Sequence, residues 1–187
     1  MEIKNAVVVI TGASSGIGEA TACAAAQAGA AEAERRGLLA LDAPVSGGQA
    51  GAENGKLSIM CGGTAEAMAR AEPVLRAYAA RIVHIGEAGA GQSAKAANQI
   101  CIAGTLAGLS EAVRFAQGQG LEMDRVLQAI GGGAAQSWQM DNRWTSMDAG
   151  EFDFGFAIDW MRKDLAIALA TANAAGFQLK EQSSSLQ

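Results

Sequence analysis

Gly86-Glu87-Ala88-Gly89-Ala90-Gly91-Gln92-Ser93-Ala94-Lys95-Ala96-Ala97-Asn98-Gln99 begins as a glycine-rich turn. It then runs on through Ile100 to Gly120 as an apolar, alanine-rich helix pattern. Lys95, Asn98 and Gln99 are three and four residues apart, so a helix places them on one face. A cation near a helix N-terminus opposes the macrodipole. Such a lysine is either a solvated surface residue or a group whose lowered pKa is useful. Partial burial and the helix start both push a lysine pKa down, towards the range in which an amine exchanges protons.

Outward from this helix, the 187 residues suit one large or two small domains. Half are hydrophobic, enough for a core, and 24 glycines against 2 prolines point to tight turns and close backbone approach. The net charge of −5 and the absence of a basic run argue against nucleic acid or an anionic membrane as partner. Cys23, Cys61 and Cys101 are widely spaced and His84 is the only histidine, so neither structural zinc nor a disulfide framework is expected. Three buried free thiols in a reducing cytoplasm are the expectation. No signal peptide is visible, and Ile100–Leu109 is too short to span a bilayer.

Ala6–Ile10, AVVVI, reads as a buried strand. Thr11-Gly12-Ala13-Ser14-Ser15-Gly16-Ile17-Gly18 follows, and Glu19–Ala28 reads as a helix. Strand, glycine-rich turn and helix is the context in which backbone N–H groups bind a pyrophosphate, so Gly12, Ser14, Ser15, Gly16, Ile17 and Gly18 are expected cofactor contacts. This turn resembles the TGxxxGxG of the short-chain dehydrogenase/reductase family. The resemblance stops near Ala30, because Ala31–Arg36 continues a helix. That family's Tyr-x-x-x-Lys pair is also absent: Tyr78, the only tyrosine, has Ile82 four residues on.

Further along, Leu38–Leu41, Lys56–Cys61 and Arg81–Ile85 read as strands, and Thr64 caps a helix to about Ala80. Met123–Ile130, Ala134–Met147 and Ala157–Ala175 read as helices, the last with Ile158, Met161, Leu165 and Leu169 on one stripe. Trp138, Trp144, Phe152, Phe154 and Phe156 are expected in the core of this helical half, with Phe156 also able to line a substrate pocket. His84 reads as a structural histidine.

DAPVSGG from Asp42, GAENGKLSIMCGG from Gly51, the quoted stretch from Gly86, and Phe156 with Lys163-Asp164-Leu165 together resemble the successive motifs of the β-hydroxyacid dehydrogenases. Within that family, 3-hydroxyisobutyrate dehydrogenase and tartronate semialdehyde reductase are the nearest in kind. The resemblance runs from about Ala31 to about Gly176. It implies NAD or NADP as cofactor and a small hydroxy acid, 3-hydroxyisobutyrate- or glycerate-like, as substrate. It implies Lys95 as general acid/base, Asn98 and Gln99 as substrate contacts, Ser46, Gly47 and Gly48 as the carboxylate cradle, and Lys163 beside the cofactor. It also implies a homodimer or higher homo-oligomer formed through the helical half, and the edges of a short sheet add a physical reason to associate. Asp42 has two readings. It lies about 24 residues after Gly18, where a Rossmann acid would bind ribose. It is also the first residue of DAPVSGG, a structural position on the substrate side, and seven contiguous residues favour that reading.

The expected fold is α/β: a shortened Rossmann-like, mostly parallel sheet over 1–87, an all-α region over 88–180 beginning with a long helix, and a polar tail over 181–187. The two resemblances meet near Ala30–Ala31, and several βα units usual before DAPVSGG are absent, so the chain reads as chimeric or truncated. An NAD(P)-dependent oxidoreductase is the leading expectation. A catalytically silent scaffold that folds and dimerises is the alternative, and a short-chain dehydrogenase is disfavoured.

Overall fold

A computed structural model describes residues 39–153 and 155–179. Two compact units divide between Ala97 and Asn98, within one long helix. The expected strand at Ala6–Ile10, the glycine-rich turn after it, Phe154 and the polar tail lie outside the described residues.

In the first unit β3 (Leu57–Gly63) is the central strand. Its side chains alternate, and Leu57, Ile59 and Cys61 are buried on one face. β1 (Leu41–Asp42) and β2 (Val45–Ser46) both run antiparallel to β3, pairing Asp42 with Gly62 and Ser46 with Ser58 in one continuous register. They behave as one strand interrupted at Ala43–Pro44, because proline has no N–H for the ladder. Its carbonyl still takes part: Met60 N donates to Pro44 O at 3.0 Å. A short helix, α1 (Gly48–Glu53), joins this strand to β3.

The other neighbour of β3 is β4 (Ala79–Gly86), which is parallel to it. Parallel neighbours need a crossover, and α2 (Ala65–Leu75) supplies it. Thr64 caps α2 as expected, its Oγ1 accepting from Ala67 N at 3.1 Å. The layer between α2 and the sheet contains Ile59, Cys61 and Leu75, with Met68, Tyr78 and Ile82 packed against them. Burial pushes the Cys61 thiol up, and the Asp42 and Glu72 carboxylates push it the same way. The Tyr78 hydroxyl is raised as well, first by burial and then by Cys61.

α3 (Ala90–Gly118) starts in this unit and continues into the second, where α4 (Met123–Ile130), α5 (Trp138–Ala149) and α6 (Ile158–Ala174) follow. The second unit's core is Leu109, Val113, Met140 and Trp144, with Met123, Val126, Leu127, Ile130 and Met147 around it. The α/β class, with a small sheet followed by a helical region, matches the expectation, but among the described strands the sheet is mixed rather than mostly parallel, since only β4 pairs parallel with β3.

Several local expectations are corrected. Strand pairing begins at Leu41, so Leu39 and Ala40 are not in a strand. α2 stops at Leu75 rather than near Ala80, and Ala79 is already in β4. α1 was not expected, since Gly48 and Gly51 are poor helix formers. α5 starts four residues later than expected because Ser137 caps it, accepting from Met140 N at 3.0 Å. The buried stripe of α6 is Leu165, Ala168 and Ala172, while Ile158 is exposed in its first turn. Cys101 is exposed, so the expected burial of all three thiols fails there, and Cys23 lies outside the described residues. Among the aromatics Trp144 alone of those described is core, for Trp138, Phe152 and Phe156 are all exposed. Trp138 instead carries the Arg143 guanidinium 5.2 Å above its ring.

Candidate active site

The first unit contains Ser46, Gly47, Gly48 and Lys95. Ser46 ends β2 and is half-buried. Gly47 has φ +125° and Gly48 φ +61°, conformations that a side chain would strain. At Gly48 a Cβ would meet no atom within 4 Å, so the backbone there is open to a ligand. Lys95 is half-buried in the second turn of α3.

Asp42 links these two pieces. It is 6% exposed, and its carboxylate accepts from Gly89 N at 2.6 Å and from Gln92 N at 2.8 Å. One oxygen serves each donor, at the helix end where unpaired N–H groups and the positive end of the dipole favour an anion. The approach is close. A Cβ on Gly91 would run into the Met60 carbonyl oxygen and lie 2.7 Å from Asp42 Oδ2. A Cβ on Gly62 would run into Asp42 Oδ1 and lie 2.8 Å from Gly91 N. Only glycine at both positions lets the start of α3 lie this close to the sheet backbone.

In the second unit Gln99 is 2% exposed and both ends of its amide are hydrogen-bonded. Its Nε2 donates to Asp164 Oδ2 at 2.7 Å, and its Oε1 accepts from Asn98 Nδ2 at 2.8 Å. The other Asp164 oxygen pairs with Lys163 Nζ at 3.1 Å. Asn98, Gln99, Asp164 and Lys163 thus form one connected polar chain between α3 and α6. Lys163 keeps 28% of its side chain exposed.

The expected cofactor contacts Gly12, Ser14, Ser15, Gly16, Ile17 and Gly18 lie outside the described residues. His84, expected to be structural, donates from Nε2 to Gly63 O at 2.7 Å. Sequence reading missed what Asp42 and Asp164 hold. Their partners are 47, 50 and 65 residues away along the chain, and no local spacing signals such pairs. Among the described residues no group of three His, Cys, Asp or Glu side chains could hold a metal ion. No described helix is long and apolar enough to cross a membrane.

A family model described as the NAD-binding domain of NADP-dependent 3-hydroxyisobutyrate dehydrogenase matches residues 89–185. Another, the NAD binding domain of 6-phosphogluconate dehydrogenase, matches residues 5–86 and so runs across Ala30–Ala31. The chain belongs to the β-hydroxyacid dehydrogenase family. It is 53% identical over 150 residues to an uncharacterized oxidoreductase of Shewanella frigidimarina, covering 80% of this chain and 52% of that one. It is 41% identical over 139 residues to the 2-hydroxy-3-oxopropionate reductase of Escherichia coli, covering 74% of this chain and 48% of that one. Among solved structures, Mycobacterium tuberculosis 3-hydroxyisobutyrate dehydrogenase with L-serine superposes with a TM-score of 0.79 at 35% identity. That match covers 86% of this chain and 58% of the other. The chain spans about half the length of the curated relatives it matches.

Proposed function

We propose that this chain is an NAD(P)-dependent oxidoreductase that interconverts a small hydroxy acid, 3-hydroxyisobutyrate- or glycerate-like, and its carbonyl form. The observation that carries the reading is the tie between the two motifs of the first unit. The Ser46–Gly48 turn and the helix start bearing Lys95 are joined through the buried Asp42 carboxylate. The name of the Escherichia coli relative, a reductase of a 3-oxo acid, supports the substrate class.

In this reading the Ser46 hydroxyl and the backbone of Gly47 and Gly48, open at Gly48, hold the substrate carboxylate, as successive N–H groups suit an anion. That fixes the distance from carboxylate to hydroxyl and selects short hydroxy acids. Lys95 Nζ takes the hydroxyl proton during oxidation and returns it during reduction. A bound nicotinamide supplies the two-electron acceptor or donor. Gly12, Ser14, Ser15, Gly16, Ile17 and Gly18 are its proposed pyrophosphate contacts. Lys163 suits the same group, being cationic and partly accessible at the end of the Asn98–Gln99–Asp164 chain. Asn98 is the proposed second contact to the substrate hydroxyl, and Gln99 acts there through Asn98. Self-association through the helical half and a cytoplasmic setting belong to the same reading.

Titration with NADH and with NADPH tests the cofactor part directly. A saturable change in nicotinamide fluorescence, with a rise in unfolding temperature of the size mass action requires, is the expected result. No response to either nucleotide contradicts the reading and favours a catalytically silent scaffold.

A further inference from the structure

We propose that Asp42 is a positioning residue for proton transfer, holding Lys95 in register with the Ser46–Gly48 turn. The inference rests on the functional reading above, in which those residues form the reacting site. Asp42 lies four residues before Ser46 on the same interrupted strand, and its carboxylate holds Gly89 N and Gln92 N. Gln92 is one helical turn before Lys95. A single buried group therefore fixes the start of the proton-transfer helix to the strand that presents the carboxylate cradle.

Three features separate this from an ordinary helix cap. The donor N–H groups are 47 and 50 residues from the acceptor, so the bond orders two distant segments rather than one helix end. Both oxygens are used, which fixes the helix in rotation as well as in distance. Gly62 and Gly91 lie close against the carboxylate, where a Cβ on either would clash with it. The substrate turn has its own anchor, since Ser46 pairs with Ser58 independently of Asp42. Loss of the tie thus displaces Lys95 and leaves the cradle in place.

Asp42→Asn is the informative variant in the full chain. An amide has one acceptor oxygen, and its NH₂ faces the second N–H, so one donor is orphaned at nearly constant volume. With 3-hydroxyisobutyrate and the preferred nicotinamide, kcat is expected to fall about 10- to 100-fold, as a misplaced catalytic group requires, with KM within about threefold. A purely structural role lowers the unfolding temperature and leaves kcat of the folded protein unchanged. Lys95 acetylation by acetic anhydride, measured by mass spectrometry relative to Lys56, adds a readout independent of turnover. The ratio is expected to change by about threefold or more, because amine reactivity follows local solvation and neighbouring charge. If the unsubstituted chain turns over no hydroxy acid, the functional reading fails and the acetylation ratio alone decides the positioning role. If Asp42→Asn does not fold, Asp42→Ser, which keeps a small N-cap oxygen, carries the same measurements. A folded variant with unchanged kcat and acetylation ratio overturns the proposal. In a chain without turnover, an unchanged ratio does so.

Discussion

Lys95→Ala is expected to lower kcat by about 10²- to 10⁴-fold, the usual contribution of a positioned acid/base. Alanine is the best helix former, so α3 keeps its shape and the loss is chemical rather than structural. Ser46, Gly47 and Gly48 remain to hold the substrate carboxylate, so KM changes far less than kcat. Lys95→Arg sharpens the result. Guanidinium keeps the charge and stays protonated at any working pH, so it cannot accept the hydroxyl proton. The arginine variant is expected to be as slow as the alanine variant while unfolding at the same denaturant concentration as the parent chain. Steady-state rates at saturating hydroxy acid and nucleotide check this, and an undiminished kcat in either variant removes Lys95 from the reaction.

Trp144→Ala is expected to cost about 3–5 kcal/mol of stability, the range for deleting a large aromatic from a packed core. Trp144 is 1% exposed and sits among Leu109, Val113 and Met140, with the α4 side chains Val126 and Leu127 against the cluster. Its removal leaves a cavity and also takes the Nε1 donor from Met123 O, now 3.2 Å away. Trp138 is the internal control. It is 60% exposed and carries the Arg143 guanidinium over its ring, so Trp138→Ala is expected to change stability by no more than about 0.5–1 kcal/mol. Urea unfolding followed by circular dichroism compares the two. Equal midpoints for both variants would contradict the placement of the helical core.

The contrast between these tryptophans marks what was legible in the sequence. Both lie in one helix pattern, six residues apart. The turn that starts α5 at Ser137 leaves Trp138 in the first helical position, where a side chain need not face the core. Periodicity gave helix existence well, as Met123–Ile130 and the long helix from Ala90 illustrate, because 3.6-residue spacing is local information. Thr64 was likewise readable as punctuation. The end of α2 was not, since nothing between Leu75 and Ala79 breaks a helix locally. There the parallel pairing of β4 with β3 takes the chain instead.

The candidate site divides the same way. Lys95 and the Ser46–Gly48 turn announce themselves by residue type and spacing, and the motif resemblance assigned them roles. The role of Asp42 could not be read from its own neighbourhood, since its partners are contributed by a helix start distant in sequence. Gln99 shows the same limit: its spacing placed it on one face with Lys95 and Asn98, whereas its pairing with Asp164, 65 residues on, had no local signal. An amide shut away from water must find partners, and an acid on α6 is one of them.

The measurement that bears most directly on the central claim follows one hydrogen atom. The chain is incubated with 3-hydroxyisobutyrate in which both hydrogens of the hydroxyl-bearing carbon are deuterium, together with NAD⁺ or NADP⁺, and the reduced nucleotide is weighed by mass spectrometry. The account predicts reduced nucleotide one mass unit heavier than that formed from unlabelled substrate, in an amount that collapses when Lys95 is alanine. Reduced nucleotide without deuterium, or none with either nucleotide, would contradict it.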